Sequence, residues 1–289
     1  MKDLYEEYKA LLFTVAYRML GSIKDAEDIV HDVFIQLESV NLTEIENLKS
    51  YLIKMVTNKS LNLLQSARKQ REVYPGEWLP EPIVSLDANE PLDKLLKEES
   101  VSYAFVVLLQ QLTDLERGIY LLREVLSYDY QNIAEMLDRS EESCRKVYSR
   151  AKQKLEKKKQ FNKKNMGKAN ELAELFLHSI EIGNFDSFIN QLTEDVVLIT
   201  DGGGKARAAI YPIFSKQRVS AFLQGVYKRG TFEGELRIVN VNGEIGILQS
   251  NQGSPVKLII FDHNDREIQN IYVVINPDKL KEIGHKFSF

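Results

Sequence analysis

A chain of 289 residues, 44% of them hydrophobic, is long enough for two or three cores and too apolar to be a disordered tail. Its 38 basic and 42 acidic residues leave a net charge of −4, so any nucleic-acid contact has to use a local patch rather than the global field. A single cysteine excludes an internal disulfide, and with four scattered histidines it offers no zinc spacing. No cofactor motif is present. The N-terminal run MKDLYEEYKALLF carries no signal-peptide pattern, and no apolar run approaches the roughly 18 residues of a membrane span. A reduced cytoplasm is therefore the expected setting.

Residues 1 to 71 are predicted to form a helical domain, with Leu4, Leu11, Leu12, Val15 and Met19 as the apolar stripe of the first helix and Gly21-Ser22 as its stop signal. In DAEDIVHDVFIQL, Ala26, Ile29, Val30, Val33 and Leu37 make a core stripe, while Asp25, Asp28 and Asp32 share another face. Such an acidic stripe suits docking on a basic partner helix; alone it is more often a solvated face. The next helix, LKSYLIKMVTNKSLNLLQSARKQR, places Lys54, Asn58 and Asn62 on a polar face, offers Arg68, Lys69 and Arg71 for phosphate, and carries Tyr51, which could stack on an exposed base.

Periodicity is lost between Gln70 and Pro91, a stretch holding four of the seven prolines, so residues 72 to 91 are predicted to be an extended linker. A second helical domain is expected over 92 to 160. It ends in YDYQNIAEMLDRSEESCRKVYSRAKQKL, which reads as two helices around a tight turn. Small Ala134 permits a close crossing, Asp138-Arg139 makes the turn, and Ser140 caps a second helix with Glu141 and Glu142 in its first turn. Cys144, Val147, Tyr148 and Ala151 can face inward, leaving Arg145, Lys146, Ser149, Arg150 and Lys152 outward. That is the chemistry of a helix that reads base edges in the major groove. From Arg139 to Lys164, eleven Lys/Arg against three Glu give a local net charge of +8.

Beyond Met166 two helices, ANELAELFLHSIEIG and FDSFINQL, precede strands predicted around DVVLIT, GELRIVNVNG, EIGILQSN, VKLIIFD and IQNIYVVI, an α+β domain over 161 to 289 with a meander of strands. In DGGGK, the glycines 202 to 204 permit positive φ and close backbone approach between Asp201 and Lys205. In NPDKL, Asn276 can cap and Pro277 can open a last helix, with Asp278 in its first turn.

DAEDIVHDVF, YLIKMVTNKSLN and LTDLERGIYLLREV…YQNIAEMLDRSEESCRKVYSRAKQKL, in this order and spacing, resemble regions two and four of bacterial extracytoplasmic-function sigma factors. The resemblance implies that Asp25, Asp28 and Asp32 dock on core RNA polymerase. It also implies that residues 39 to 48 with Tyr51, Asn58 and Asn62 open and read the −10 promoter element, and that Arg145, Lys146, Ser149 and Arg150 read the −35 element as duplex. Many relatives carry tryptophan where this chain has Tyr51.

The C-terminal domain resembles the SnoaL-like branch of the NTF2-like cone fold. WLPEP (Trp78 to Pro82, with Pro80), DGGGK and NPDKL are similar to the sigma-factor subgroup that carries such an extension, which implies an interdomain regulatory role for Trp78, Pro80, residues 201 to 205 and residues 276 to 278. The expected function is a non-catalytic initiation factor that binds core RNA polymerase and promoter DNA, is modulated by its own C-terminal domain, and has room for a small ligand in the cone. The alternative is a DNA-tethered NTF2-like enzyme or ligand sensor. Asp201, His178 and Tyr211 are then the nearest candidates for an acid or base at the mouth of the cavity.

Overall fold

The structure, a computed structural model, describes residues 1–85, 102–156, 166–264 and 266–286. It forms two compact units, Met1–Glu72 with Glu98–Lys159, and Val73–Lys97 with Gln160–Phe289.

The first unit is all helical. Helix α1 (Lys2–Leu20) ends where Gly21 turns left-handed at φ 68°, and Ser22 then caps α2 (Ile23–Leu37) by accepting the Asp25 N–H at 3.3 Å. A 3₁₀ turn (Leu42–Glu44) leads to α3 (Leu48–Glu72). Leu12, Val15, Ala16 and Met19 of α1, Ala26, Ile29, Val30 and Val33 of α2, and Leu52, Ile53 and Val56 of α3 are buried. These positions recur every three to four residues, so each helix gives one stripe to a common core.

Helices α4 (Tyr103–Leu109), α5 (Asp114–Tyr120), α6 (Tyr130–Leu137) and α7 (Glu141–Glu156) complete this unit. A capping box fixes the start of α5, with Thr113 Oγ1 accepting the Glu116 N–H at 3.4 Å and Glu116 accepting the Thr113 N–H at 2.9 Å. Burial by itself would push the Glu116 carboxyl up, but Lys154 at 2.7 Å and the Thr113 bonds outweigh it and hold the group below its usual range. A π-helical turn (Leu121–Val125) ends this segment. Arg117, almost fully buried, donates through Nε to Leu109 O at 2.9 Å, through Nη2 to Leu112 O at 3.2 Å, and through Nη1 to Met19 O at the end of α1. One guanidinium fork thus ties α1 to the second helical set.

The second unit is built on a seven-stranded sheet of order β1-β4-β5-β6-β7-β2-β3. Its strands are β1 (Val84–Ser85), β2 (Leu192–Asp201), β3 (Ile213–Phe214), β4 (Glu235–Val241), β5 (Glu244–Asn251), β6 (Ser254–His263) and β7 (Ile268–Val274). The expected meander holds from β4 to β7, but β2 returns beside β7 in parallel register, and this makes the sheet mixed. Helices α8 (Met166–Ile182), α9 (Asp186–Ile189) and α10 (Lys216–Tyr227) share a core with one sheet face. Phe176 at its centre makes edge-on contacts with Phe188, Phe232 and Phe261 at 4.8 to 5.7 Å. Leu258 and Ile260 alternate with Ile259 and Phe261 along β6 and face the other side, where α11 (Pro277–Lys286) packs on that strand.

Helix α10 was not expected, because KQRVSAFLQGVY buries only Val219 and Leu223 fully and its apolar stripe is short. The segment from Val73 to Ser85 is extended as expected, but it lies on the second unit as an added edge. Val84 and Ser85 pair with Val241 and Asn240, and Asn242 both accepts the Ile83 N–H at 3.0 Å and donates to Ile83 O at 2.8 Å. Leu92 to Val101 and Lys157 to Asn165, parts of the expected second helical domain and basic hinge, lie outside the described residues.

Candidate nucleic-acid interface and the Asp201 centre

The turn motif in the first unit is assembled as its sequence indicates. Asp129 caps α6 by accepting the Asn132 N–H at 2.8 Å, Asp138 takes the left-handed conformation at φ 53°, and Ser140 caps α7 by accepting the Ser143 N–H at 3.2 Å. Cys144, Val147, Ala151 and Leu155 are buried under α7. Burial also pushes the Cys144 thiol up, which leaves it a core residue rather than a reactive one. Arg145, Lys146, Ser149, Arg150 and Lys152 are all exposed on the opposite side. Arg145 pairs with Glu141 at 2.9 Å and lies over the Tyr130 ring at 4.4 Å; Lys146 pairs with Glu142 at 2.6 Å. Exposed pairs of this kind are worth only a few tenths of a kcal/mol, roughly 0.3–0.5, and yield readily to a phosphate or a guanine. Tyr148, read as an inward residue, is half-buried. It stacks on Tyr120 at 6.2 Å, meets the Tyr130 ring edge-on at 6.0 Å, and donates to Glu124 at 2.5 Å; burial first and that bond second hold its hydroxyl well above the usual value.

On α2, Asp28 and Asp32 are exposed and Asp25 is half-buried. With Lys59, Asn62 and Ser66 of α3 they line one groove, in which Lys59 approaches Asp32 at 3.9 Å. Asn62 therefore belongs to the acidic groove, and Tyr51 is half-buried one end of α3 away. Asn58 is occupied: its Nδ2 donates to Met136 O at 2.9 Å, closing one of the orphan carbonyls at the end of α6. Ser50 Oγ lies 3.1 Å from the Tyr128 hydroxyl beside it. The 39–48 loop is largely exposed, with Asn41 accepting the Thr43 N–H at 3.3 Å and donating to Glu44 at 2.7 Å. Arg68 and Arg71 lie on the last turns of α3, and their side chains fall outside the described residues.

In the second unit the three separated motifs meet at one carboxylate. Asp201 is 0% exposed and accepts from Tyr74 Oη at 2.6 Å, the Leu79 N–H at 2.9 Å, the Gly203 N–H at 3.0 Å and Lys279 Nζ at 2.6 Å. Lys279, itself buried, also donates to Leu79 O and lies 4.2 Å over the Trp78 ring and 5.3 Å over Tyr74. Burial, and then the bond to Asp201, hold the Tyr74 hydroxyl well above its usual value. Asn276 donates to Tyr74 Oη at 2.8 Å and caps α11 by accepting the Asp278 N–H at 3.0 Å, with Pro277 in the first helical position. Pro80 is buried in the same segment. Lys205 does not complement Asp201; it pairs with Asp278 at 2.6 Å.

The glycines are required by space. A Cβ on Gly202 would sit 2.4 Å from Ala206 O, one on Gly203 (φ 59°) 2.3 Å from Asn276 Nδ2, and one on Gly204 (φ 70°) 2.7 Å from Pro75. Sequence reasoning missed Tyr74, Lys279 and Arg117. Lys279 had a signal, being a lysine inside the buried stripe Lys279, Leu280 and Ile283.

None of the three acid–base candidates reaches the interior of the cone. Asp201 is sealed by its four donors, His178 is exposed beside Glu181 at 3.5 Å, and Tyr211 is 78% exposed. The cone does hold a cavity of about 390 Å³, lined by other residues.

Residues 4–70 match Sigma-70 region 2, and residues 103–155 match Sigma-70, region 4. The chain is 29% identical over 287 residues to the ECF RNA polymerase sigma factor SigJ of Mycobacterium tuberculosis, covering 95% of this chain and 91% of that protein. The crystal structure of SigJ superposes over 100% of both chains with a TM-score of 0.81 at 26% identity. The chain thus carries both sigma-70 regions and is similar over nearly its whole length to an extracytoplasmic-function sigma factor. A shorter relative, the ECF RNA polymerase sigma factor SigW of Bacillus subtilis, is 21% identical over 164 residues, 50% of this chain and 86% of its own length. This sigma factor thus joins two helical sigma regions to a C-terminal mixed-sheet domain, as its motifs indicate, and its regions two and four serve promoter recognition and transcription initiation with core RNA polymerase. Among the described residues no helix is long and apolar enough to cross a membrane.

Proposed function

We propose that α7 of this sigma factor reads the −35 element through Arg145, Lys146, Ser149 and Arg150, with Lys152 on phosphate. The observation that carries the reading is the capped turn beneath an exposed cationic face, whose inner side is fully committed to the core. In the same reading Asp25, Asp28 and Asp32 dock on core RNA polymerase, and the 39–48 loop with Tyr51, Asn58 and Asn62 handles the −10 strand, helped by Arg68 and Arg71 on phosphate. Asn58 spends one amide N–H on Met136 O, so it engages the promoter with its remaining N–H and its carbonyl, or releases that bond at a cost of about 1 kcal/mol. The protein works in the cytoplasm and is not an enzyme.

The C-terminal domain modulates activity by holding the linker. Trp78, Pro80, Asp201, Gly202, Gly203, Gly204, Lys205, Asn276, Pro277 and Asp278 act as its clamp, and the cone offers room for a small ligand. Run-off transcription with purified core polymerase tests the whole reading. Full-length protein should direct initiation from a promoter with matched −35 and −10 elements, and Arg145→Ala should relax preference at one −35 base pair. Equal loss on every −35 sequence would make Arg145 a phosphate contact, and tight operator binding without polymerase would overturn the sigma mechanism.

A further inference from the structure

The interior of the cone carries a charge pattern that the clamp does not use. Its cavity, about 390 Å³, falls within the size range of small-molecule sites and is walled by Phe176, Phe222, Phe232, Ile259, Ile271 and Val273. Among the described residues three cations line it, Arg207, Arg229 and Lys257, and no acidic residue does. Among the described residues, none of the three forms an ion pair. Arg207 and Arg229 are exposed. Lys257 donates to two neutral acceptors, Gln249 Oε1 at 2.7 Å and Thr231 O, and lies 4.4 Å from the Phe232 ring centre.

An ammonium has three N–H bonds to give. Two of those of Lys257 meet protein, so one remains for whatever enters. Burial of a cation against aromatic and aliphatic walls is costly unless an anion compensates it, and the cost shows as a pKa pulled down to about 8. Among the described residues none pairs such an anion with Lys257. Phe176 belongs at once to the cavity wall and to the aromatic core, so the apolar floor is rigid.

We propose that the cone binds a small organic monoanion, a carboxylate or sulfonate on a flat apolar body, with the acidic group on Lys257 and the Arg229 and Arg207 guanidinia at the mouth. The wall residues supply the driving force and the cations the orientation. This rests on the reading that the cone takes a small ligand, and neutral and cationic isosteres separate the two claims.

The test is calorimetric titration of the full chain with 2-naphthoate, 2-naphthylmethanol and 2-naphthylmethylammonium. The carboxylate should bind at least about tenfold more tightly than the alcohol, and the ammonium should bind worst. Lys257→Met should weaken the carboxylate by about tenfold and leave the alcohol unchanged. Arg229→Gln, an exposed substitution that leaves the core untouched, should weaken it by a smaller factor. A charged Lys257 is the binding form, so carboxylate affinity should fall as pH rises through about 8, and this fall should disappear in Lys257→Met. Binding of none of the three compounds overturns the ligand reading itself. Equal binding of the carboxylate and the alcohol, or loss of both in Lys257→Met, keeps a cavity ligand but overturns the anion.

Discussion

Asp201→Ala puts the clamp to its hardest test. The substitution removes the acceptor shared by Tyr74, Leu79 N–H, Gly203 N–H and Lys279, and leaves the Lys279 ammonium buried beside Leu79 O and two ring faces without its carboxylate. Removing one member of a buried pair costs about 3–5 kcal/mol, because the survivor keeps its desolvation penalty. The released donors do not add fully to this figure, since they share one acceptor. In a unit of this size about 1 kcal/mol moves the unfolding midpoint by roughly 2–4 °C, so the C-terminal transition should fall by roughly 6–20 °C. Differential scanning calorimetry reads the shift, and hydrogen exchange should show the Leu79 amide released while the Ile83 amide, held by Asn242, stays protected. Lys279→Met on the Asp201→Ala background should recover about 1–3 kcal/mol, since neither charge is then stranded. A midpoint within about 2 °C of wild type, or a double variant no better than the single, would refute the clamp.

Gly203→Val should cost at least about 1–2 kcal/mol from its left-handed φ of 59°, and more from the clash with Asn276, so calorimetry should show the same transition falling as in Asp201→Ala. Arg145→Ala should cost about 1–3 kcal/mol on a matched −35 element and less on a mismatched one, read as initial transcription rate against promoter concentration. Reversing charge at Asp28 and Asp32 together should reduce capture by immobilised core polymerase with an unchanged circular dichroism spectrum, since both side chains are exposed; persistent capture marks the stripe as a solvated face. Lys257 releases its proton earlier in the folded state than in the unfolded one. The unfolded chain therefore binds more protons between about pH 8 and about pH 10.5, and stability gained there should be seen in wild type and be absent from Lys257→Met.

The helical half was legible because each of its signals is local. Gly21, Ser22, Asp138 and Ser140 act within a few residues of their own backbone, and a 3.6-residue stripe needs no knowledge of the partner that covers it. The strands were legible for the same reason. What escaped were interactions whose two ends lie far apart in sequence. Nothing around Arg117 marks it as the buried tie to Met19, nothing in YPGEW marks Tyr74 as a donor to Asp201, and Asn58 reads as a solvated polar residue until α6 brings Met136 O against it. The acid–base candidates failed on the same ground, since strand position alone did not show that Asp201 points away from the cavity and into the clamp.

The clamp also changes what deleting the C-terminal domain would mean. Residues 73–85 belong structurally to that domain: they bury Leu79, Ile83 and Val84 against it and add β1 to its sheet. A chain cut near Lys164 would keep this segment but lose everything that covers it, exposing a β-forming edge with three apolar side chains. Altered transcription in such a truncation could then come from an uncovered, association-prone linker as easily as from lost regulation. Asp201→Ala and Gly203→Val separate the two causes, because they loosen the same segment while Val84 and Ser85 keep their pairing with Val241 and Asn240. If both substitutions change transcription in the direction that truncation does, the controlling variable is release of the linker itself. If they do not, the body of the domain controls activity through some other surface, and the clamp serves only to anchor the segment.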